Sequence, residues 1–260
     1  MQRNLLITGA NKGLGFGLIK QLCKENPLNL HIILTARSKQ RGEEALQELH
    51  NQNPSATLQF QQLLIGNQES HENLVKKLQQ QKMLIDVLVN NAGIFTWGKD
   101  KSEKQRVLQT NYRGTTDFTK LIFPQLTDDA KIIFYSSQIG RISKQNNATK
   151  ELYSQDNLSE SQIDQHVNEF IEGKFENDIN AFAKATLNTW VKNVGLKMLK
   201  PNQNMFLICP GWCKTDLGGQ KAPKSVEQGV SYPFELINDF PFERSERNGQ
   251  LYSYGRKAPN

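Results

Sequence analysis

Asn180 and Lys184, in the stretch NDINAFAKATLNTWVK from Asn177 to Lys192, are spaced to act together. Four residues apart, they share one face of a helix, with Cβ atoms roughly 5–6 Å apart. The amine can bind a hydroxyl or tune a neighbour's pKa, and the carboxamide can donate hydrogen bonds, but an amide has no proton acidic enough to give away. A second group lies near the start of the chain. The apolar run Leu5-Leu6-Ile7 ends in Thr8-Gly9-Ala10-Asn11-Lys12-Gly13-Leu14-Gly15, and a helical pattern follows through Leu18, Ile19 and Leu22 to about Asn26. A strand, a glycine turn and a helix can hold a pyrophosphate, because glycines let the backbone approach and the helix start offers free N–H groups. The Gly-x-x-x-Gly-x-Gly spacing differs from the older Gly-x-Gly-x-x-Gly fingerprint, and a plain tight turn explains it equally well when taken alone. After the second strand, where an acid would bind ribose hydroxyls and select NAD, stands Arg37. With Lys12 in the glycine turn it suits a 2′-phosphate, so NADP is the expected cofactor.

These residues need a scaffold. Strands are expected at His31–Thr35, Leu58–Leu63, Leu84–Asn90, Lys131–Tyr135, Asn204–Cys209 and Leu251–Tyr254, after the first at Asn4–Thr8. Helices are expected at about Lys39–Asn51, Glu69–Gln80, Ser102–Leu126, Ser159–Ile171 (capped by Ser159, with Ile163, Val167, Phe170 and Ile171 on one face), the Asn180–Lys184 helix and Ser225–Ile237. Strands alternating with helices argue an α/β fold: a three-layer, Rossmann-type, doubly wound parallel sheet of about seven strands with helices on both faces. Ligands of such sheets sit beyond the carboxyl ends of the strands. Gly9–Gly15, Asn90–Gly93 and Ser137 all fall there. The chain reads as a single domain over 1–260, with a polar helical insertion at about 141–178.

The chain has 260 residues, is 37% hydrophobic and carries a net charge of +6. No basic stripe is interleaved with aromatics, so no nucleic-acid partner is expected. Cys23, Cys209 and Cys213 form no disulfide framework, and Cys209-x-x-x-Cys213 lacks a second ligand pair, so no metal is expected and a reducing compartment is. With a first strand directly after Met1 and no apolar run of the ~18 residues a span needs, an intracellular, cytoplasmic protein with no signal peptide and no membrane segment is expected.

The chain resembles the short-chain dehydrogenase/reductases from end to end, in particular their NADPH-dependent carbonyl reductase branch. TGANKGLG, LTAR, DVLVNNAG, TNYRGT, SSQIG and CPGWCKTDLGG carry the resemblance, and the insertion before the Lys184 helix is similar to one in that branch. The resemblance implies that Gly9, Asn11, Lys12, Gly13, Leu14, Gly15, Arg37, Asn91, Ala92, Gly93, Lys184, Pro210, Gly211 and Thr215 bind the cofactor. It implies that Asn111, Ser137 and Lys184 are three members of a catalytic tetrad. The serine would polarise the carbonyl, the lysine would hold the nicotinamide ribose and lower a tyrosine's pKa, and the asparagine would hold a relay water.

The fourth member should be a tyrosine at 180, and the residue is Asn180. Hydride transfer to a carbonyl makes an alkoxide, which a phenol can protonate and an amide cannot. Asn180 could still donate a hydrogen bond to a developing oxyanion. A second departure follows the third strand, where the family has an acid beside the adenine and this chain has Leu64. The two together predict a carbonyl-reductase-like fold that is catalytically impaired and serves as a binding or structural component, with protein partners in a larger assembly. The alternative is an active NADPH-dependent reductase taking an aldehyde, ketone or quinone, with water or Ser137 and Lys184 supplying the proton.

Overall fold

A computed structural model describes residues 2–25, 28–52, 54–239, 246–253 and 255–258. The first half is a run of βα units: β1 (Arg3–Ile7), α1 (Gly13–Glu25), β2 (Leu30–Ala36), α2 (Lys39–His50), β3 (Thr57–Gln62), α3 (Gln68–Gln80) and β4 (Ile85–Asn90). There follow α4 (Lys101–Leu108), a wide π turn at Gln109–Gly114, α5 (Thr115–Ile122) and β5 (Leu126–Tyr135). The sheet is completed by β6 (Asn204–Cys209), β7 (Leu251–Ser253) and β8 (Arg256–Lys257), in the order β3-β2-β1-β4-β5-β6-β7-β8. Every pairing from β3 to β7 is parallel, and β8 joins antiparallel to β7. This is the doubly wound α/β sheet expected, with one short edge strand more. Asn26 and Tyr254, the expected ends of the first helix and the last strand, lie outside the described residues.

Alternation along the strands divides the core between the two sheet faces. Leu6, Ile33, Leu88, Ile132 and Phe134 pack into one cluster, while Leu5, Ile7, Ile32, Val87, Val89 and Tyr135 pack into the other. The strands read as nearly continuous apolar runs because both faces are covered. Several helices start on the signal their sequence carries: Ser38, Asn67, Asp100, Ser159, Asp178 and Ser225 each accept a hydrogen bond from the backbone N–H three residues on. Each such cap is worth about 1 kcal/mol.

Two expectations around the centre need correction. The long helix expected from Ser102 to Leu126 is interrupted by the π turn that carries Asn111, and it closes in a 3₁₀ turn at Phe123–Gln125 containing Pro124. Leu126 then begins β5 and pairs with Ile85. The strand starts five residues earlier than expected because Thr127-Asp128-Asp129 masks its apolar pattern and a register shift interrupts the ladder.

The insertion folds as α6 (Asn147–Tyr153) and α7 (Glu160–Ile171) before α8 (Ile179–Trp190). Ile163, Val167, Phe170 and Ile171 are buried as expected, whereas α6 is an element the sequence pattern does not predict. The insertion lies against α4, α5 and α8. Lys104 donates to the carbonyl of Phe170 at 3.0 Å, Tyr153 shares a hydrogen bond with Thr186 at 2.9 Å, and Arg113 donates to Asn168 at 2.6 Å. Glu160 takes both Lys120 (2.7 Å) and the indole N–H of the buried Trp190 (3.0 Å). α8 is thereby wedged between the sheet and the insertion, which fixes the direction in which Asn180 and Lys184 point. A second π turn at Val191–Gly195 and the short α9 (Leu196–Met198) lead on to β6. α10 (Val226–Asn238) packs on α1, with Gly17 and Val226 at their contact.

Candidate active site

The glycine turn joins β1 to α1 at the carboxyl edge of the sheet. Gly9 takes a positive φ of 61°, and a Cβ there would come within 2.9 Å of the Ala92 backbone. At Gly15 a Cβ would meet the Asn91 side-chain nitrogen at 2.6 Å. Asn11 and Leu14 are half-buried in this turn, with Leu14 packed on the second core cluster. The first turn of α1 holds no acidic residue, so the positive helix end is not neutralised by a side chain of its own helix.

The loop after β4 is stapled to this turn. Asn91 donates to the carbonyls of Thr8 (2.8 Å) and Gly9 (3.0 Å), and the Thr8 hydroxyl accepts from the N–H groups of Asn91 (3.0 Å) and Ala92 (2.9 Å). Gly93 is exposed beyond them. Asn91 thus braces the β4 loop against the glycine turn, and Thr8 is a partner that residue type and spacing do not reveal.

Two cations were assigned to a 2′-phosphate, and their surroundings differ. Arg37 is exposed at the end of β2, with no carboxylate in ion-pair range among the described residues. Lys12 instead meets Asp216 at 2.7 Å, across to the loop that follows β6. In that loop Gly211 has a φ of 80°, the Pro210 carbonyl accepts from the Cys213 thiol at 3.3 Å, and the Thr215 hydroxyl accepts from Gly218 N–H at 3.1 Å. Thr215 lies 3.6 Å from where a Cβ on Gly13 would be, so the loop stands directly over the glycine turn. Asp216, 204 positions from Lys12, carries no sequence signal of that pairing.

Asn111 and Asn180 have a shared task. Asn111, brought inward by the π turn, accepts from the N–H of Ile94 at 2.9 Å and donates to its carbonyl at 2.8 Å. Asn180 treats Thr96 in the same way, at 3.1 and 2.8 Å, and is only 6% exposed. Flipping either amide would set donor against donor, so the geometry fixes both orientations. Two carboxamides therefore clamp alternate residues, Ile94 and Thr96, of the segment that follows β4. No motif or spacing points to Thr96. The expected oxyanion donor at 180 is reduced to one remaining Nδ2 hydrogen, because its other polar positions are spent on the backbone.

Lys184 is half-buried and donates to the carbonyl of Tyr135 at 2.6 Å. Burial draws its pKa down to about 8, with the Cys209 side chain acting in the opposite sense. Ser137, leaving β5, accepts from the Ile139 N–H at 3.3 Å, which leaves its own hydrogen free. Cys209 accepts from the Gln138 N–H at 3.3 Å and is buried at the end of β6.

The phenols of the described residues belong to the two core clusters or pack against them. Tyr112 and Tyr153 are buried in one core cluster, Tyr135 and Tyr232 in the other, and Tyr252 packs against the latter. Phe182 faces the insertion, 4.3 Å from the Phe170 ring. The four imidazoles lie elsewhere: His31 bonds Asn4 at the opposite end of β1, His50 ends α2, His71 lies on α3, and His166 stacks on Phe175 in the insertion. Among the described residues no group of three or more His, Cys, Asp or Glu side chains is arranged to hold a metal. No helix among them is long and apolar enough to cross a membrane.

The model of the short chain dehydrogenase family matches residues 3–154, more than half of the chain. The protein belongs to that family. As a short-chain dehydrogenase it is similar over its whole length to carbonyl reductase [NADPH] 1 of Bos taurus, with 28% identity over 271 residues and 96% of each chain covered. Its fold matches salutaridine reductase from Papaver somniferum with a TM-score of 0.84 at 24% identity, covering 96% of this chain and 99% of the other. It also matches an NADPH-bound carbonyl reductase from chicken fatty liver, with a TM-score of 0.71 at 21% identity and 97% and 92% coverage. Ser137 follows β5, Lys184 bonds the last carbonyl of that strand, and Asn111 and Asn180 hold the backbone that leaves the neighbouring β4.

Proposed function

We propose that this short-chain dehydrogenase binds NADP(H) but is impaired as a carbonyl reductase, and that it serves as a binding or structural component. The observation that carries the reading is the engagement of Asn180 with both polar groups of the Thr96 peptide. The turn fits a dinucleotide's pyrophosphate: Gly9 and Gly15 keep the backbone bare where a side chain would clash, and the start of α1 is free of acids. Arg37 would meet the 2′-phosphate, with Lys12 contributing once it leaves Asp216. When bound, the nicotinamide supplies a hydride. Ser137 would hydrogen-bond the carbonyl oxygen, and Lys184 would hold the adjoining ribose. No side chain then gives the alkoxide its proton with a phenol's efficiency, a loss of about 10²–10⁴ in rate.

In this reading the nucleotide-bound protein would serve protein partners in a larger assembly. The test has two arms. NADPH binding, followed by the change in its fluorescence, is expected, and turnover of a quinone and an aromatic aldehyde is expected to be weak or nil. Efficient turnover overturns the impairment; failure to bind NADPH overturns the nucleotide site.

One observation favours a second reading, an active reductase. An ammonium titrating at about 8, as at Lys184, is acidic enough to protonate an alkoxide through Ser137 or a water. Such an enzyme would lose rate as pH rises through 8 and the ammonium is lost.

A further inference from the structure

Lys184 has a freedom that a lysine paired with a phenol would lack. Among the described residues no carboxylate lies within ion-pair distance of its amine, and its hydrogen bond runs to the neutral carbonyl of Tyr135 at 2.6 Å. Asn180, on the next turn of α8, is committed to Thr96. The Ser137 hydroxyl, on the strand that carries Tyr135, accepts from Ile139 N–H and keeps its proton available.

Sheet order adds a second observation. β5 lies between β4 and β6, so the end of β5 is flanked by the loops leaving those two strands. Each loop presents an indole to solvent: Trp97, 89% exposed and edge-on to Phe95 at 4.8 Å, and Trp212, 56% exposed. Exposed indoles on both sides of one strand end suit a planar aromatic occupant.

We propose that Lys184 is an amine nucleophile that captures aryl aldehydes as an imine at the end of β5, between the loops that carry Trp97 and Trp212. The proposal rests on the reading that the site admits carbonyl compounds. The Nζ lone pair forms a bond to the carbonyl carbon, and the C=O π pair moves onto oxygen, which takes a proton from the Ser137 hydroxyl or water. The nitrogen gives up a proton to solvent, leaving a carbinolamine. Its hydroxyl is then protonated and leaves as water while the nitrogen lone pair closes the C=N bond. One water is released and nothing is oxidised or reduced.

The groups facing the amine agree with this role. Tyr135 offers a carbonyl from β5 and Cys209 a thiol from β6. With the amine titrating at about 8, about a tenth is neutral at pH 7, against well under a thousandth for an ordinary lysine.

The test is reductive trapping without nicotinamide cofactor: 4-nitrobenzaldehyde and cyanoborohydride at pH 8, followed by intact mass and peptide mapping. A first adduct at Lys184, formed at least about tenfold faster than at exposed lysines and half-maximal in rate near pH 8, supports the proposal. Lys184 labelled no faster than exposed lysines overturns it. Lys184→Arg should abolish the fast adduct with circular dichroism unchanged, and a fast adduct that persists in that variant also overturns it. Should the variant misfold, the wild-type peptide map decides alone. Because no NADPH is present, this readout is independent of whether the protein reduces carbonyls.

Discussion

The carboxamide of Asn180 pairs with both backbone polar groups of Thr96, accepting its N–H at 3.1 Å and donating to its carbonyl at 2.8 Å. Asn180 thus braces the segment after β4, so its replacement reports on stability as well as on chemistry. Asn180→Ala should leave two buried peptide groups unpaired and cost about 1–3 kcal/mol in urea unfolding. Asn180→Tyr should supply a phenol yet lose the same brace, so a gain in reductase rate should come with a lower midpoint. A Tyr variant as stable as the parent would show that Thr96 does not depend on the amide.

Arg37 and Lys12 should contribute unequally to nucleotide choice. Arg37→Ala is expected to weaken NADPH about tenfold or more, with little change for NADH, as loss of a charged phosphate contact should. Asp216→Asn frees Lys12, and because that ion pair is exposed, NADPH should tighten by only about two- to fivefold. Titrations followed by nucleotide fluorescence check both. Equal losses for NADPH and NADH in Arg37→Ala would remove it from the 2′-phosphate.

Glu160 ties the insertion to the helices beneath it through Lys120 and Trp190. Glu160→Ala leaves the indole N–H of a buried ring without its acceptor, an expected loss of about 1–3 kcal/mol in denaturant unfolding. Glu160→Gln keeps an acceptor and should recover most of it. Indistinguishable midpoints for the two variants would mean that the indole bond contributes nothing.

Acid should destabilise the fold through its histidines. Burial lowers the pKa of His166, His71 and His31 below 6.5. The unfolded chain therefore takes up these protons first, and the stability that the neutral rings confer is complete above about 6.5 and lost as pH falls through it. His166, between Thr149 at 3.0 Å and the rings of Phe175 and Tyr153, should be one source of this loss, offset in part by Glu169 at 3.9 Å. Thermal midpoints between pH 7.5 and 5 measure this. A His166→Gln variant with an unchanged slope would exclude that histidine as a source.

The architecture was legible because buried parallel strands leave unbroken apolar runs and caps leave Ser, Asn or Asp at fixed offsets. β6 spans Asn204–Cys209 as read, and Ser159 caps its helix with Gln162 closing a capping box. α6 stayed hidden because its seven residues, NATKELY, are too few to show a helical stripe. The π turn left no mark, since widening a helix by one residue changes no composition. At the site, the residues that can do chemistry were readable by type and spacing. Their partners Thr96, Thr8 and Asp216 were not, because a backbone clamp or an ion pair between residues more than 80 positions apart exists only once the sheet has brought them together.

The most direct test of the missing acid is steady-state reduction of an ortho-quinone and an aromatic aldehyde with saturating NADPH, run beside bovine carbonyl reductase [NADPH] 1 at the same pH. A kcat about 10²-fold or more below that enzyme, in protein shown to bind NADPH, is the result predicted. A kcat equal to that of the bovine enzyme would contradict it.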